Sequence, residues 1–531
     1  MTRPAPTTVE GDRVTPPGSR PNILLLMADQ LSAFGTGPYG NTDVLTPNLD
    51  DLAARGTVLS HAYCNAPLCV PSRAALMTGR LPSDVPSNDN AEEFPTSVPT
   101  FAHTLRRAGY RTILAGKMHF VGPDQLHGFE ERLTTDIFPP DLTWTRPWEE
   151  QGDPPRLSGA QQNGGREYLD ILRSSGTLPW TYQMHYDEEV RFAALQRLRE
   201  LSLATDDRAD EPWLMVASFT QPHDPYVAPP EYWNRYEGRP IALPEPPPTD
   251  VPPHPLDVWV NSYHGVDRGT VTDETTYLAR RGYYAMTSYI DDVVGSFMSE
   301  LERFGVLDNT VVVFTSDHGD QLGEHGMYFK RTMREWSVRV PLIMAGPGVA
   351  AGHRVRTPVS LVDLHPTLAD LAGARPPEWV SDHFAGTSLA AAVRERSEVV
   401  AGHPGVVIEN SAEGTLRPVR AVVRDHHKLV YARDLPDQLY DLRADPQELT
   451  NLAEEQGHDE VRLRLRERAL TGWDPELAEK EMVASQRMRT YLGEALRHGR
   501  HTSWAYEPRV DAAHRWIRST DDDPWDPLCG F

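Results

Sequence analysis

The chain has three cysteines in 531 residues, Cys64, Cys69 and Cys529, too few for a disulfide framework. Their odd number and irregular spacing point to a reducing compartment or to a special role for one of them. No run of about 18 apolar residues occurs, which excludes a helix that spans a membrane. Positive charge is also scarce. Lys and Arg total 52 against 76 Asp and Glu, a formal charge of -24. So acidic a surface repels nucleic acid and anionic lipid, so neither nucleic acid nor a membrane is expected as a partner. The opening stretch, MTRPAPTTVEGDRVTPPGSRP, has no apolar segment of the kind a secretion signal needs. It reads as a disordered tail over residues 1–20, and a cytoplasmic location is expected.

What is present is an alternation of short apolar runs and amphipathic stretches, the rhythm of an α/β fold. NILLLMADQ (22–30) reads as a buried strand that delivers polar side chains at its carboxyl end. A helix follows, with Thr46 as cap, Pro47 at its first position and Gly56 as its stop. A second helix is predicted from Val98 to Arg107, ended by Gly109, and then the strand RTILAG. WLMVASF (213–219), TVVVFTSDHGD (310–320) and VPLIMAG (340–346) read as further buried strands, and residues 274–304 as a long helix. The eight prolines between Arg239 and Pro255 preclude regular structure there. Beyond residue 395, VRAVVRDHHKLVYARD alternates as an antiparallel hairpin does, followed by helices near 455–470 and 475–498. The expected organisation is a large domain over 21–395 and a smaller one over 396–531.

Chemistry gathers where the strands end. Asp29 and Gln30 follow the first strand, and Asp317, His318 and Asp320 follow a later one. Such oxygen-rich ligation from two strand ends suits Ca²⁺, Mg²⁺ or Mn²⁺ better than zinc. Lys117 and His119 alternate in GKMH, His223 follows WLMVASF, and Lys330 lies just beyond SDHGD. Singly, an aspartate at a strand terminus most often pins a turn, and a lone histidine is most often structural. Their recurrence at successive strand ends argues for one shared site.

These residues carry a resemblance. PLCVPSRAALMTGR (67–80) resembles the first signature of the sulfatase family, Cys-x-Pro-Ser-Arg then Thr-Gly-Arg, and GYRTILAGKMH (109–119) resembles the second. NILLLMADQ, GKMHFVGPDQLHGFEERLTTDIFP, FTQPHDPYVA and DQLYDLRADPQELTNLAEE are similar to the bacterial choline-sulfatase branch, which is related to formylglycine-dependent phosphonate monoester hydrolases. The resemblance implies an alkaline-phosphatase-like α/β fold, a large mixed sheet flanked by helices, with a smaller C-terminal domain containing a four-stranded antiparallel sheet. It implies that Cys69 is converted to formylglycine by a formylglycine-generating enzyme, its partner in maturation, and that the hydrate is the nucleophile. By motif position, Asp29, Gln30, Asp317 and His318, with the modified Cys69, would hold one divalent ion, Ca²⁺ first and Mn²⁺ or Mg²⁺ as alternatives. Arg73 and His119 would orient the hydrate, and Lys117, His223 and Lys330 would contact sulfate, with His223 or Lys330 as proton donor. A homo-oligomer is expected.

The implied activity is hydrolysis of a small alkyl or aryl sulfate ester, with a phosphonate monoester or phosphodiester as the alternative substrate. A binding protein that kept the fold is the third reading, disfavoured because nucleophile, ligands and sulfate contacts occur together. Three features depart from the branch. Val70 replaces a small residue beside Cys69. Trp144 matches an aromatic of the branch's choline site, but residues 150–176 lack the Trp-Tyr-His-Asn cluster that accompanies it. The tail carries Asp521, Asp522, Asp523 and Trp525, an acid and aromatic pair suited to a cationic alcohol.

Overall fold

The computed structural model describes residues 20–138, 142, 144–145, 147–155, 168–205, 207–246 and 251–498. The N-terminal stretch read as disordered, the acidic tail with Trp525, and Cys529 lie outside the described residues.

At the centre is an eight-stranded sheet. Strand Asn22–Ala28 lies between Thr310–Ser316 and Trp213–Ser218 and is parallel to both. Arg111–Gly116 and then Glu131–Arg132 extend the parallel array on one side. On the other side Leu342–Ala345 runs antiparallel, followed by Gly56–Leu59 and His353–Val355. Both faces of the sheet are covered, which is why its strands are continuous apolar runs rather than alternating ones. Ile23, Leu25 and Met27 enter the core on one face, and Leu24, Leu26 and Ala28 enter the core on the other.

Local signals explain most element ends. The helix predicted from Val98 begins at Phe101, because Thr100 and His103 form a reciprocal capping box. Helix Pro47–Arg55 starts where Pro47 predicts, but Thr46 does not cap it by its side chain. The Thr46 hydroxyl instead accepts the backbone N–H of Gly37. Helix Cys69–Thr78 has no amphipathic signal in the sequence because every residue of it is buried. Asp273–Arg303 is the long helix, capped by Thr272.

The C-terminal part holds the expected four-stranded antiparallel sheet, Val406–Asn410, Val419–Arg424, His427–Ala432 and Gln438–Asp441 in that order. Its two faces have different neighbours. Val407, Val422, Leu429 and Leu439 pack under Leu465 and Ala469 of helix Asp459–Leu470. Val406, Ile408, Val419, Ala421 and Val423 join the hydrophobic core beneath the large sheet. The two sheets are therefore bound by shared apolar burial, which predicts a single cooperative unfolding transition. Ile408→Ala should lower stability by about 2–5 kcal/mol, read as a lower thermal midpoint of that one transition in calorimetry. Two separable transitions would contradict the shared core.

Candidate active site

Every sequence-predicted site residue except Trp144 and Lys330 stands at the carboxyl edge of the large sheet or on the buried helix; Lys330 follows Tyr328–Phe329, a strand of a separate two-stranded sheet. Asp29 and Gln30 follow strand Asn22–Ala28, Asp317 and His318 follow Thr310–Ser316, and Lys117 follows Arg111–Gly116. Adjacent parallel strands in register bring these ends together. Cys69 is the first residue of helix Cys69–Thr78, where the helix presents its positive end.

The contacts of Cys69 are basic. Its Sγ is 3.2 Å from Lys330 Nζ, 3.3 Å from His318 Nε2 and 3.6 Å from Lys117 Nζ. Burial pushes this thiol up, but Lys117, Lys330 and His318 outweigh it and hold Cys69 well below the ordinary thiol range. Cys64, five residues earlier, has burial as its dominant influence and is pushed well above that range. It is a core side chain.

Asp29, Cys69, Asp317 and His318 each offer an atom within 4.8 Å of the others, all four buried. Arg73 spans the two carboxylates: Nη2 donates to Asp29 Oδ2 and Nε to Asp317 Oδ2, each at 2.9 Å. Its Nη1 donates to Ser218 Oγ at 2.9 Å and to the Lys117 carbonyl. Arg73, expected to orient the hydrate, thus hydrogen-bonds the two acids that flank Cys69. Lys117 Nζ also donates to Asp29. Burial and Cys69 push Asp29 up, yet Lys117, His223 and Arg73 hold it below the ordinary carboxylate range.

Gln30 adopts a left-handed φ of 64°. Its amide nitrogen donates to Asp224 Oδ1 at 3.1 Å and Asp320 Oδ2 at 2.9 Å, while its Oε1 is buried without a hydrogen-bond partner. Asp29 Oδ1 is likewise unpartnered. Two orphaned oxygens beside a buried carboxylate and histidine are the donor set a divalent cation would satisfy. Asp320 stands behind Gln30, also accepting from Tyr226 at 2.8 Å, and is not among the grouped atoms.

His223 Nε2 meets Lys330 Nζ at 2.9 Å, and its Nδ1 lies 2.8 Å from the Asp224 carbonyl. With Nδ1 donating to that carbonyl, Nε2 is the acceptor from the Lys330 ammonium. His119, with a φ of 56°, is presented by Asp136. Asp136 Oδ2 accepts the N–H of Met118 at 3.0 Å and of His119 at 2.7 Å, and Arg132 donates to it at 3.1 Å. Trp144 meets the His119 ring edge-on at 6.2 Å, with Phe138 beside both. Asp136 and Phe138 escaped the sequence reading, since nothing in LTTDIF beyond its match to the branch marks these two residues. Their contacts form only in three dimensions.

Comparison with known proteins decides the family. The Sulfatase family model matches residues 21–374. The chain belongs to the sulfatase family. A C-terminal model of N-sulphoglucosamine sulphohydrolase matches residues 323–472, and one of choline sulfatase matches 480–528. A choline-sulfatase of Rhizobium meliloti is 43% identical over 94% of this chain and 96% of its own. This sulfatase thus falls in the choline-sulfatase branch. Among solved structures, the phosphonate monoester hydrolase of Agrobacterium radiobacter superposes with a TM-score of 0.65 at 25% identity, covering 85% of this chain and 95% of that one. A structure solved with D-glucosamine-2-N,6-O-disulfate gives 0.65 at 22% identity, over 87% and 99%, and shares the fold.

If Asp136 presents His119, Asp136→Ala should lower kcat/KM on the order of 10²-fold through misplacement of the ring. Bound metal should stay unchanged, because Asp136 is outside the grouped ligands. Full activity in this variant would make Asp136 a partner of Arg132 alone.

Proposed function

We propose that this sulfatase hydrolyses a small alkyl or aryl sulfate ester, using formylglycine derived from Cys69 and one divalent cation. The observation that carries the reading is the environment of Cys69, which has two ammonium groups and a histidine within 3.6 Å and two carboxylates within ligand reach. A sulfate ester is an anion, and an anionic nucleophile approaches it only where fixed positive charge neutralises both.

The Cys69 sulfur marks where the nucleophilic oxygen would stand. Hydrated formylglycine would supply one hydroxyl to attack sulfur and a second whose deprotonation expels sulfate and restores the aldehyde. Asp29, Gln30, Asp317 and His318 would hold the cation, Ca²⁺ before Mg²⁺ or Mn²⁺, and it would polarise the sulfate oxygens as a Lewis acid. Lys117 and Lys330 would bind the equatorial oxygens. Lys330 and His223, in direct contact, would share the proton that the leaving alkoxide requires. Arg73 would keep the two carboxylates apart and aligned, and His119 would orient the hydrate. Conversion of Cys69 requires a formylglycine-generating enzyme. Among the described residues no helix is long and apolar enough to cross a membrane. The phosphonate or phosphodiester alternative rests on a likeness at 25% identity, against 43% for the choline-sulfatase.

Protein made alongside the maturation enzyme should yield a Cys69 peptide about 18 Da lighter than the thiol form, whereas the Cys64 peptide keeps its thiol mass. Fully active protein in which Cys69 still alkylates would refute the mechanism. Asp317→Asn should lose both activity and bound metal, measured by elemental analysis, since it removes a charged oxygen from the cation. Full metal content would leave Asp317 only the task of holding Arg73. A sulfate monoester should be turned over faster than a matched phosphodiester; the reverse order would favour the alternative.

A further inference from the structure

Two side chains one helical turn apart brace the loop that carries His223. Helix Tyr182–Leu203 is packed on the large sheet, its Val190, Ala194 and Leu198 sharing a core with Met215 and Ala217 of strand Trp213–Ser218. From its first two turns Gln183 and Asp187, four residues apart and so on one face, reach the segment Thr220–Asp224 that follows this strand. Asp187 is fully buried. Its Oδ1 accepts the Thr220 N–H at 2.7 Å and the Thr220 hydroxyl at 2.9 Å, and its Oδ2 accepts the Gln221 N–H at 3.0 Å. Gln183 holds the other end of the segment, its side-chain amide donating to the Asp224 carbonyl at 2.9 Å.

That carbonyl is the one His223 uses. His223 Nδ1 lies 2.8 Å from the Asp224 oxygen, and the two lone pairs of a carbonyl oxygen accept both donors. With Nδ1 donating there, the Nε2 lone pair is turned to Lys330 Nζ, 2.9 Å away. Gln183 therefore fixes the acceptor that sets the tautomer and tilt of the ring. Asp187 fixes the start of the loop, where the Gln221 carbonyl accepts the Asp29 N–H at 3.3 Å. The Asp224 side chain accepts from Gln30 at 3.1 Å and ties the same loop to the candidate metal ligands.

Resting on the sulfatase reading above, we propose that Gln183 and Asp187 are positioning residues for protonation of the leaving group: they hold His223 in the tautomer and place from which, with Lys330, it supplies a proton to the departing alcohol. As the ester S–O bond breaks, its electron pair stays on the leaving oxygen, which takes the proton held between Lys330 and His223. A basic leaving oxygen depends on that proton, whereas 4-nitrophenolate departs with little help. Lost positioning thus makes the rate fall more steeply with leaving-group basicity, which a purely structural loss does not.

The test compares phenyl sulfate with 4-nitrophenyl sulfate, two esters of similar shape, on metal-loaded protein that carries formylglycine. Gln183→Met keeps the side-chain length and the helix but removes the donor. It should lower kcat/KM for phenyl sulfate at least about fivefold more than for 4-nitrophenyl sulfate. Asp187→Asn, which cannot accept from both backbone N–H groups and the hydroxyl together, should move the ratio the same way. Because Asp187 is buried and its variant could fail to fold, the half-buried Gln183 carries the test. His223→Asn should move the ratio further still, and Gln183→Met added to it should move the ratio no more, since both act through one ring. Equal losses on the two esters in the folded single variants, or a further shift in the His223→Asn background, would overturn the proposal. Absence of sulfate release from both esters by the wild type would instead count against the sulfatase reading itself.

Discussion

The site depends on one side chain, Arg73, held between Asp29 and Asp317. Two carboxylates on neighbouring strands, both buried, repel one another, and without a cation between them their burial is strongly unfavourable. Arg73 meets one oxygen of each at 2.9 Å, and its helix begins at Cys69. One guanidinium therefore fixes the separation of the acids and the position of Cys69 relative to them. Its planar fork can do this, whereas a lysine, with a single point of charge, would satisfy one acid and strand the other. The remaining parts are set around that bridge: Lys117 shares Asp29, Ser72 Oγ donates to the Asp317 carbonyl, and His318 reaches Cys69 from the next position along.

The C-terminal sheet takes part in this arrangement. Its apolar inner face merges with the core under the large sheet, and its polar groups reach further still. Lys428, fully buried, is held by Glu335, Glu448 and the Met333 carbonyl, just past Lys330 in the chain. Glu413 reaches Arg331 from the loop after strand Val406–Asn410. The segment from Phe329 to Glu335 is thus clamped from the C-terminal side by charges, which explains how the left-handed residues on either side of Lys330, Phe329 and Arg331, persist. It also means that the surroundings of Lys330 are shaped by a part of the chain that contributes none of the grouped atoms of Asp29, Cys69, Asp317 and His318.

Strand ends were legible from the sequence because a doubly covered parallel sheet writes itself as uninterrupted apolar runs, and polar residues directly after such runs must emerge at one edge. Asp29, Gln30, Lys117, Asp317 and His318 were found that way, and the two signature stretches added Cys69 and Arg73. The small errors came from local competition. Thr46 looked like a cap but satisfies Gly37, and the helix expected at Val98 waits for the Thr100 box.

The sequence alone determined the α/β class and the family and singled out the candidate nucleophile and metal ligands, since each is carried by residue types at short spacing, where chain geometry leaves little freedom. Only the tertiary structure decided which acid presents His119, that Arg73 bridges carboxylates, that Asp320 stands behind Gln30, and that Glu413 is spent on Arg331. Those pairings join residues from distant strands and loops, and a charge in a sequence does not disclose its partner. Burial then makes the pairing decisive: a carboxylate in a dry interior acts according to the cation beside it, and the fold alone chooses that cation.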